Sequence, residues 1–275
     1  MSRIHEPSRR GPFEARPGHR LPIRDIDSQV RQLRASLYSL IPCAPVIRVH
    51  ARRRPEVVIV PPARPLGPST SQSLQFAEAY AAEDAVLQTA RGLAAELGLD
   101  AVSPAAGSVL RLLAAAGSAK AVVEIGTGAG VSGIWLLRGM RPDGVLTTID
   151  VDNEHQRIAR RIFVAAGFAA SRTRIITGRA LDVLPRLADG VYDVVFVDAD
   201  PTEIGACADA ALRLLRPGGT LLVNGAMAGG RINDPSARDV GTLTIRETVR
   251  AMRESEEWIP AIIPSGAGLL AAVKR

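Results

Sequence analysis

Aromatic residues make up only 4% of this chain, so alanine, valine and leucine must fill whatever core it forms. The hydrophobic content of 47% is enough for a sizeable one. Cysteine is nearly absent. Cys43 and Cys207 lie far apart, which excludes a disulfide framework and the paired spacing of a metal site. No apolar run approaches the roughly 18 residues of a membrane helix. The N-terminus lacks an apolar h-region, so no secretory signal is expected and the expected location is cytoplasmic. Acidic residues are short at one end only. Residues 1–60 hold 12 arginines against 5 Asp or Glu, a balance of +7, while the whole chain carries +6. The remainder is therefore −1, and the basic character says little about what the body binds.

The length of 275 residues allows one large domain plus extras. Residues 1–68 are rich in proline and arginine and read as a mostly disordered extension. Within it, Val30–Ile41 could form a helix and Val57–Val60 a strand. Two readings of this arm stay open. One is a passive extension. The other is a contact with an anionic partner through Arg52-Arg53-Arg54. No aromatics interleave with those arginines to stack on bases, which counts against nucleic acid.

Residues 69–275 read as one α/β domain. Ser69 to Gly98 reads as a long helical stretch with Phe76, Tyr80, Leu87, Ala90, Ala94 and Leu97 on its apolar face. Ser103 before Pro104 starts a second helix, running to about Gly117. Strands are expected at Ala121–Ile125, Val145–Ile149, Arg174–Thr177, Tyr192–Val197 and Thr220–Val223. Helices alternate with them, including Asn153–Ala166, Ile204–Leu215 and Ala237–Arg253. Pro264 to Gly268 separates two last apolar runs, which read as an antiparallel pair. This alternation predicts a mixed, mostly parallel sheet.

The stretch AVVEIGTGAGVSGIWLLRGM, Ala121 to Met140, reads as strand, glycine turn and helix, the opening of a nucleotide-binding unit. The dinucleotide fingerprint would need glycine at position 131, where Val131 stands; this disfavours a nicotinamide dehydrogenase. A pyrophosphate prefers a helix N-terminus free of negative charge. Glu124 therefore argues for a ligand with a cationic part. Asp150 ends the next strand about 20 residues on, where a carboxylate takes ribose hydroxyls. Ribose, adenine and a positive charge together describe S-adenosylmethionine. A glycine turn serving only tight helix packing is the competing reading.

The segments VSPAAG, VVEIGTGAG, LTTIDVD, FVDAD, LLRPGG, GGRINDP and PSGAG resemble the catechol O-methyltransferase-like, class I S-adenosylmethionine-dependent O-methyltransferases, the caffeoyl-CoA type included. The resemblance runs from about Ala77 to the end. It implies a Rossmann-like sheet of seven strands in the order 3-2-1-4-5-7-6, helices on both faces, and a homodimer. It places Val102 and Gly107 near the cofactor, and Glu124, Gly126, Thr127 and Ser132 on its amino acid part. Asp150 would hold the ribose, Val151 would sit beside the adenine and Ala180 near the base. Asp198 would face the substrate and, in metal-dependent members, the metal, and Asp200 would lie near the cofactor; a phenolic acceptor must lose its proton, and Asp198 could assist as the catalytic base. Plainer roles compete: Ser132 as a helix-turn residue, Val102 as core, Asp200 as a cap. His155 reads as a cofactor-side or surface residue rather than a catalytic one.

The chain departs from metal-dependent relatives, which follow strand five with Asp-Asn; here Asn224-Gly225 stands. Their lysine after the first aspartate is Pro201, and a tryptophan often found near the acceptor is Ala228. One carboxylate of two remains, so weak or no metal dependence is expected. The expected activity is methyl transfer to a hydroxyl of a small, possibly phenolic, acceptor, with a non-catalytic binder of S-adenosylmethionine as the alternative. Asp198-Ala199-Asp200-Pro201 lacks the Pro-Pro-aromatic run expected of a nucleic acid N-methyltransferase.

Overall fold

The computed structural model describes residues 68–275. The expectations for residues 1–67, including the Val30–Ile41 helix and the Val57–Val60 strand, lie outside the described residues.

Strand β1 (Ala121–Ile125) is the centre of the sheet and pairs in parallel with β2 (Val145–Asp150) and β4 (Tyr192–Val197). Outside these, also parallel, lie β3 (Thr173–Thr177) and β5 (Leu215–Asn224). The hairpin of β6 (Trp258–Ile263) and β7 (Leu269–Lys274) closes the sheet, with β7 antiparallel to β5. The order is β3-β2-β1-β4-β5-β7-β6, as the resemblance implies.

Two apolar layers flank the sheet. One holds α2 (Ala85–Glu96), α3 (Pro104–Ala116), α4 (Val131–Gly139) and α5 (Asn153–Ala165). The other holds the single turn α6 (Ala180–Val183), α7 (Ile204–Leu214) and α8 (Val240–Glu254). Alternation along β1 sends Val123 and Ile125 into the second layer and Val122 into the first. Alanine replaces the scarce aromatics: Ala90, Ala106, Ala114 and Ala211 are fully or almost fully buried. Ser103 caps α3, accepting from Ala106 N at 3.2 Å.

Three boundaries differ from the sequence expectation. The stretch Ser69 to Gly98 is two helices, α1 (Pro68–Tyr80) and α2, because Asp84 interrupts it. Its carboxylate accepts from Leu87 N at 3.1 Å and starts a new helix. Leu87, Ala90 and Ala94 are buried, whereas Phe76 and Tyr80 are exposed. Strand β5 begins at Leu215 and continues through Pro217-Gly218-Gly219, with a register shift against β4 absorbing the irregularity. Helix α8 starts at Val240 because Asp239, not a residue near Ala237, caps it by accepting from Thr242 N at 2.9 Å.

Glu78 ties helix α1 to its neighbours. The Glu78 carboxylate accepts from Ser103 Oγ at 2.9 Å, Ala105 N at 3.0 Å and Gly266 N at 3.2 Å. It joins α1 to the start of α3 and to the β6–β7 turn.

Candidate active site

The glycine turn brings two strand ends together. Gly126 has φ +92°, and a Cβ there would stand 2.1 Å from the carbonyl oxygen of Asp198. Only glycine lets the end of β1 pass that close to the end of β4. Gly130, at φ +89°, starts α4 with its bare Cα against Phe163 and Ala159. Over the carboxyl ends of β1, β2 and β4 lies a cavity of about 700 Å³. Open α/β sheets bind ligands at this crevice, and the volume suits a nucleoside with an amino acid tail.

Asp150 ties the turn to β2. Its Oδ2 accepts from Thr127 N and Gly128 N, each at 3.0 Å, and its Oδ1 accepts from Asp152 N at 2.9 Å. His155 on α5 stands with Nδ1 3.5 Å from Asp150 Oδ1. Gly126, Thr127, Ser132, Asp150, Val151, His155 and Ala180 all line the cavity. Val151 is 67% exposed, an apolar surface beside Asp150. Val102 also lines it, with its carbonyl held by Arg91 Nη2 at 2.8 Å. Gly107 is not among the lining residues. Its bare Cα receives the Trp135 indole, whose Cδ1 would lie 2.3 Å from a Cβ, so it packs α3 on α4.

Glu124 is fully buried and sits behind the lining residues. Ser132 Oγ donates to its Oε1 at 2.7 Å and Thr148 Oγ1 to its Oε2 at 2.6 Å. Burial pushes its carboxyl up to about 7, against the lowering effect of those two hydrogen bonds, and the charges of Asp198 and Asp150 push the same way.

Asp198 follows β4 and faces the cavity. Burial raises its carboxyl to about 6; a hydrogen bond from Asn224 Nδ2 at 3.0 Å lowers it, and the charge of Asp100 raises it. Asp200 also lines the cavity, but its exposed Oδ1 accepts from Thr202 N at 2.8 Å and Thr202 Oγ1 at 2.6 Å. That pairing holds its carboxyl below the usual range.

The side chains beside Asp198 that could face a divalent ion are few, and the buried Oδ1 of Asn224 has no hydrogen-bond partner. Asn224 turns its nitrogen toward Asp198, and Gly225 offers no side chain; a Cβ there would have no atom within 4 Å. Among the described residues no three His, Cys, Asp or Glu side chains converge as a metal set. Magnesium sites use one or two protein carboxylates and fill the rest with water and substrate oxygens; Asp198 supplies one carboxylate here.

Sequence reasoning missed Thr148, Asp100, Arg179 and Glu203. Thr148 carried a readable signal: two threonines interrupt the otherwise apolar VLTTI of β2. Asp100 lines the cavity from the loop after α2, and Arg179 and Glu203 face each other at its rim, 2.9 Å apart. Loop residues such as these carry no periodicity by which a sequence could place them.

Residues 77–275 match the O-methyltransferase family. A relative from Mycobacterium tuberculosis, named a probable O-methyltransferase, is 52% identical over 208 residues, covering 75% of this chain and 93% of its own. Among solved structures, the O-methyltransferase TomG of Streptomyces achromogenes, in complex with SAM and involved in tomaymycin synthesis, is 32% identical with a TM-score of 0.67. The match covers 74% of this chain and 96% of TomG. An O-methyltransferase of Bacillus cereus in complex with SAH is 27% identical with a TM-score of 0.67, covering 74% of this chain and 97% of that one. With the sheet order, the glycine turn and the cavity over its strand ends, these matches establish that the chain belongs to the S-adenosylmethionine-dependent O-methyltransferase family.

Proposed function

We propose that the cavity over β1, β2 and β4 seats S-adenosylmethionine beside Asp198, and that the acceptor is a small molecule with a phenolic hydroxyl. The observation that carries this reading is the convergence, in one cavity, of the glycine turn, Asp150 and a half-buried Asp198. Bound there, the cofactor supplies an electrophilic methyl group. Asp150 takes the ribose hydroxyls on its remaining lone pairs. Val151 and Ala180 flank the adenine, while Thr127 and Ser132 meet the amino acid part, with Glu124 behind them. Val102 closes the wall near the methyl, and Asp200 borders the cofactor.

Asp198 would accept the proton of the acceptor hydroxyl; the cofactor, when bound, would supply the methyl and leave as the neutral thioether. An ordinary phenol ionises near pH 10, so the reacting hydroxyl needs a base at neutral pH. A carboxyl near 6 is ionised there and basic enough to help. Weak or absent metal dependence follows from the poor donor set at Asn224-Gly225. Asn224 and the space beside Gly225 leave the acceptor end roomier than a side chain would.

The reading extends to the whole molecule. Residues 69–275 form the methyltransferase domain and residues 1–68 an extension to it. A homodimer is supported by Phe76 and Tyr80, 72% and 80% exposed on α1. No described helix is long and apolar enough to cross a membrane, and the proposed location is cytoplasmic.

Calorimetry with S-adenosylmethionine tests the cofactor site. Asp150→Ala should weaken binding by about 1–3 kcal/mol through unpaired ribose hydroxyls. Turnover of a panel of catechols and hydroxylated phenylpropanoids tests the acceptor. Cofactor binding without turnover of any member would reject the phenolic class.

A further inference from the structure

We propose that Glu124, Thr148 and Thr127 form a hydroxyl relay, ending in the cavity, through which binding of the cationic cofactor expels a proton from Glu124. The inference rests on the reading of this cavity as the cofactor site.

The relay is defined by its donors. Thr148 has one hydroxyl hydrogen, and the 2.6 Å contact commits it to Glu124 Oε2. The Thr127 and Thr148 hydroxyl oxygens lie 2.7 Å apart, and either can donate. With Thr148's hydrogen committed, Thr127 must supply the hydrogen of that contact. Thr127 is a lining residue of the cavity, and with its hydrogen committed its hydroxyl keeps only lone pairs for a further partner. In this state Glu124 accepts from Ser132 on one oxygen and Thr148 on the other, as an ionised carboxylate does.

A proton on Oε2 reverses the chain without moving a heavy atom. Glu124 donates to Thr148, Thr148 donates to Thr127, and the Thr127 hydrogen is turned out. The cavity end of the relay is an acceptor in one state and a donor in the other. An ammonium and a sulfonium favour the acceptor state. Their arrival therefore favours ionised Glu124, and its proton passes to solvent.

The charges around Glu124 leave it sensitive to such an arrival. The strand β2 contributes Asp150 and the end of β4 contributes Asp198, both anionic. Helix α4 contributes only the Ser132 hydroxyl, and His155 of α5 stands against Asp150 instead. Burial first, then the charges of Asp198 and Asp150, bring its carboxyl into the neutral range against the two hydrogen bonds.

Calorimetry of S-adenosylmethionine binding to the full chain, in buffers of different ionisation enthalpy, reads affinity and proton count separately. The wild type should release about half a proton or more at pH 6.5 and almost none from Glu124 at pH 8.5. Its affinity should be about fivefold to tenfold weaker at pH 6 than at pH 8. Glu124→Gln should lose most of the release at pH 6.5 and the slope between pH 7 and pH 8, keeping only the smaller share of Asp198, whose carboxyl lies near 6. Thr127→Val, which removes only the cavity end, should release less than half the wild-type count. Asp198→Asn should keep only part of it, because the Asp198 charge helps raise the Glu124 carboxyl and its own carboxyl also lies near 6.

A wild-type proton count in Glu124→Gln would overturn the assignment to Glu124. A full count in Thr127→Val would leave Ser132 or a through-space field as the route and overturn the relay. If Glu124→Gln does not fold, difference infrared on the wild type substitutes: a protonated-carboxyl band at pH 6.5 should vanish on saturation, and its absence from the free protein refutes the proposal. Binding heat without proton release refutes the relay alone. No binding heat at either pH refutes the cofactor site, and the relay with it.

Discussion

Replacing Glu124 by glutamine should stabilise the ligand-free protein at pH 8 and change little at pH 5. The carboxyl is completely buried and is raised from an ordinary 4.5 to about 7. Between those values the folded state holds a proton that the unfolded state has lost. Stability therefore falls as pH rises through the window, and the loss is complete above 7. At about 1.36 kcal/mol per pH unit, a shift of roughly 2.5 units amounts to about 3 kcal/mol at pH 8. Glutamine removes the charge and keeps the shape. Its oxygen can accept from Ser132 while its nitrogen donates to Thr148, so no polar atom is stranded. For a domain of this size, about 3 kcal/mol corresponds to roughly 6–12 °C in the unfolding midpoint. Thermal unfolding of both proteins at pH 5 and pH 8, without ligand, reads this directly. A variant no more stable than the wild type at pH 8 would show that burial does not strain the carboxylate, and the account of Glu124 would fail. The same variant locks the Thr127 hydroxyl as a donor, so the gain in stability should come with weaker cofactor binding.

Further outcomes follow from the site's geometry. Gly126→Ala should destabilise the fold by more than about 4 kcal/mol, read by denaturant unfolding, because its Cβ would meet a backbone carbonyl at 2.1 Å that cannot move without shifting β4. The methylation rate should fall about tenfold per pH unit below about 6 as Asp198 takes up its proton, and Asp198→Asn should lose that limb and be about 100-fold slower or more in a pH–rate profile. Excess chelator should lower turnover by less than about tenfold, or about 1.4 kcal/mol in barrier; complete loss restored by magnesium or manganese would show that Asp198 and Asn224 do assemble a working metal site.

Most of the fold was legible because its signals are periodic or local. Parallel strands buried on both faces read as apolar runs, and Ser103-Pro104 announces a helix start in two residues. What failed to show was competition between local signals. Asp84 stands inside an apolar pattern that runs from Phe76 to Leu97, and the pattern alone favours one helix. Its carboxylate nevertheless captures Leu87 N and starts a second one. The irregular β5 illustrates the opposite case. Pro217-Gly218-Gly219 is a turn by composition, yet pairing of Leu215 with Tyr192 extends the strand across it.

The site residues were legible as a set, but their directions were not. Gly126, Thr127, Ser132, Asp150, Val151, Ala180 and Asp198 converge on one cavity because strand ends converge there. Glu124 differs for a reason that lies in strand geometry. It stands one residue before the end of β1, on the face it shares with Val122, and that face packs under α4. A side chain on that face meets Ser132 from above and Thr148 from the neighbouring strand, in register with it. It cannot also reach out over the strand end, where the ligand's charge would lie. A carboxylate so placed senses charge only through its hydrogen-bond partners or through the field. The pair of threonines, one on β2 and one in the turn, gives it the first of those routes beside the direct one through Ser132.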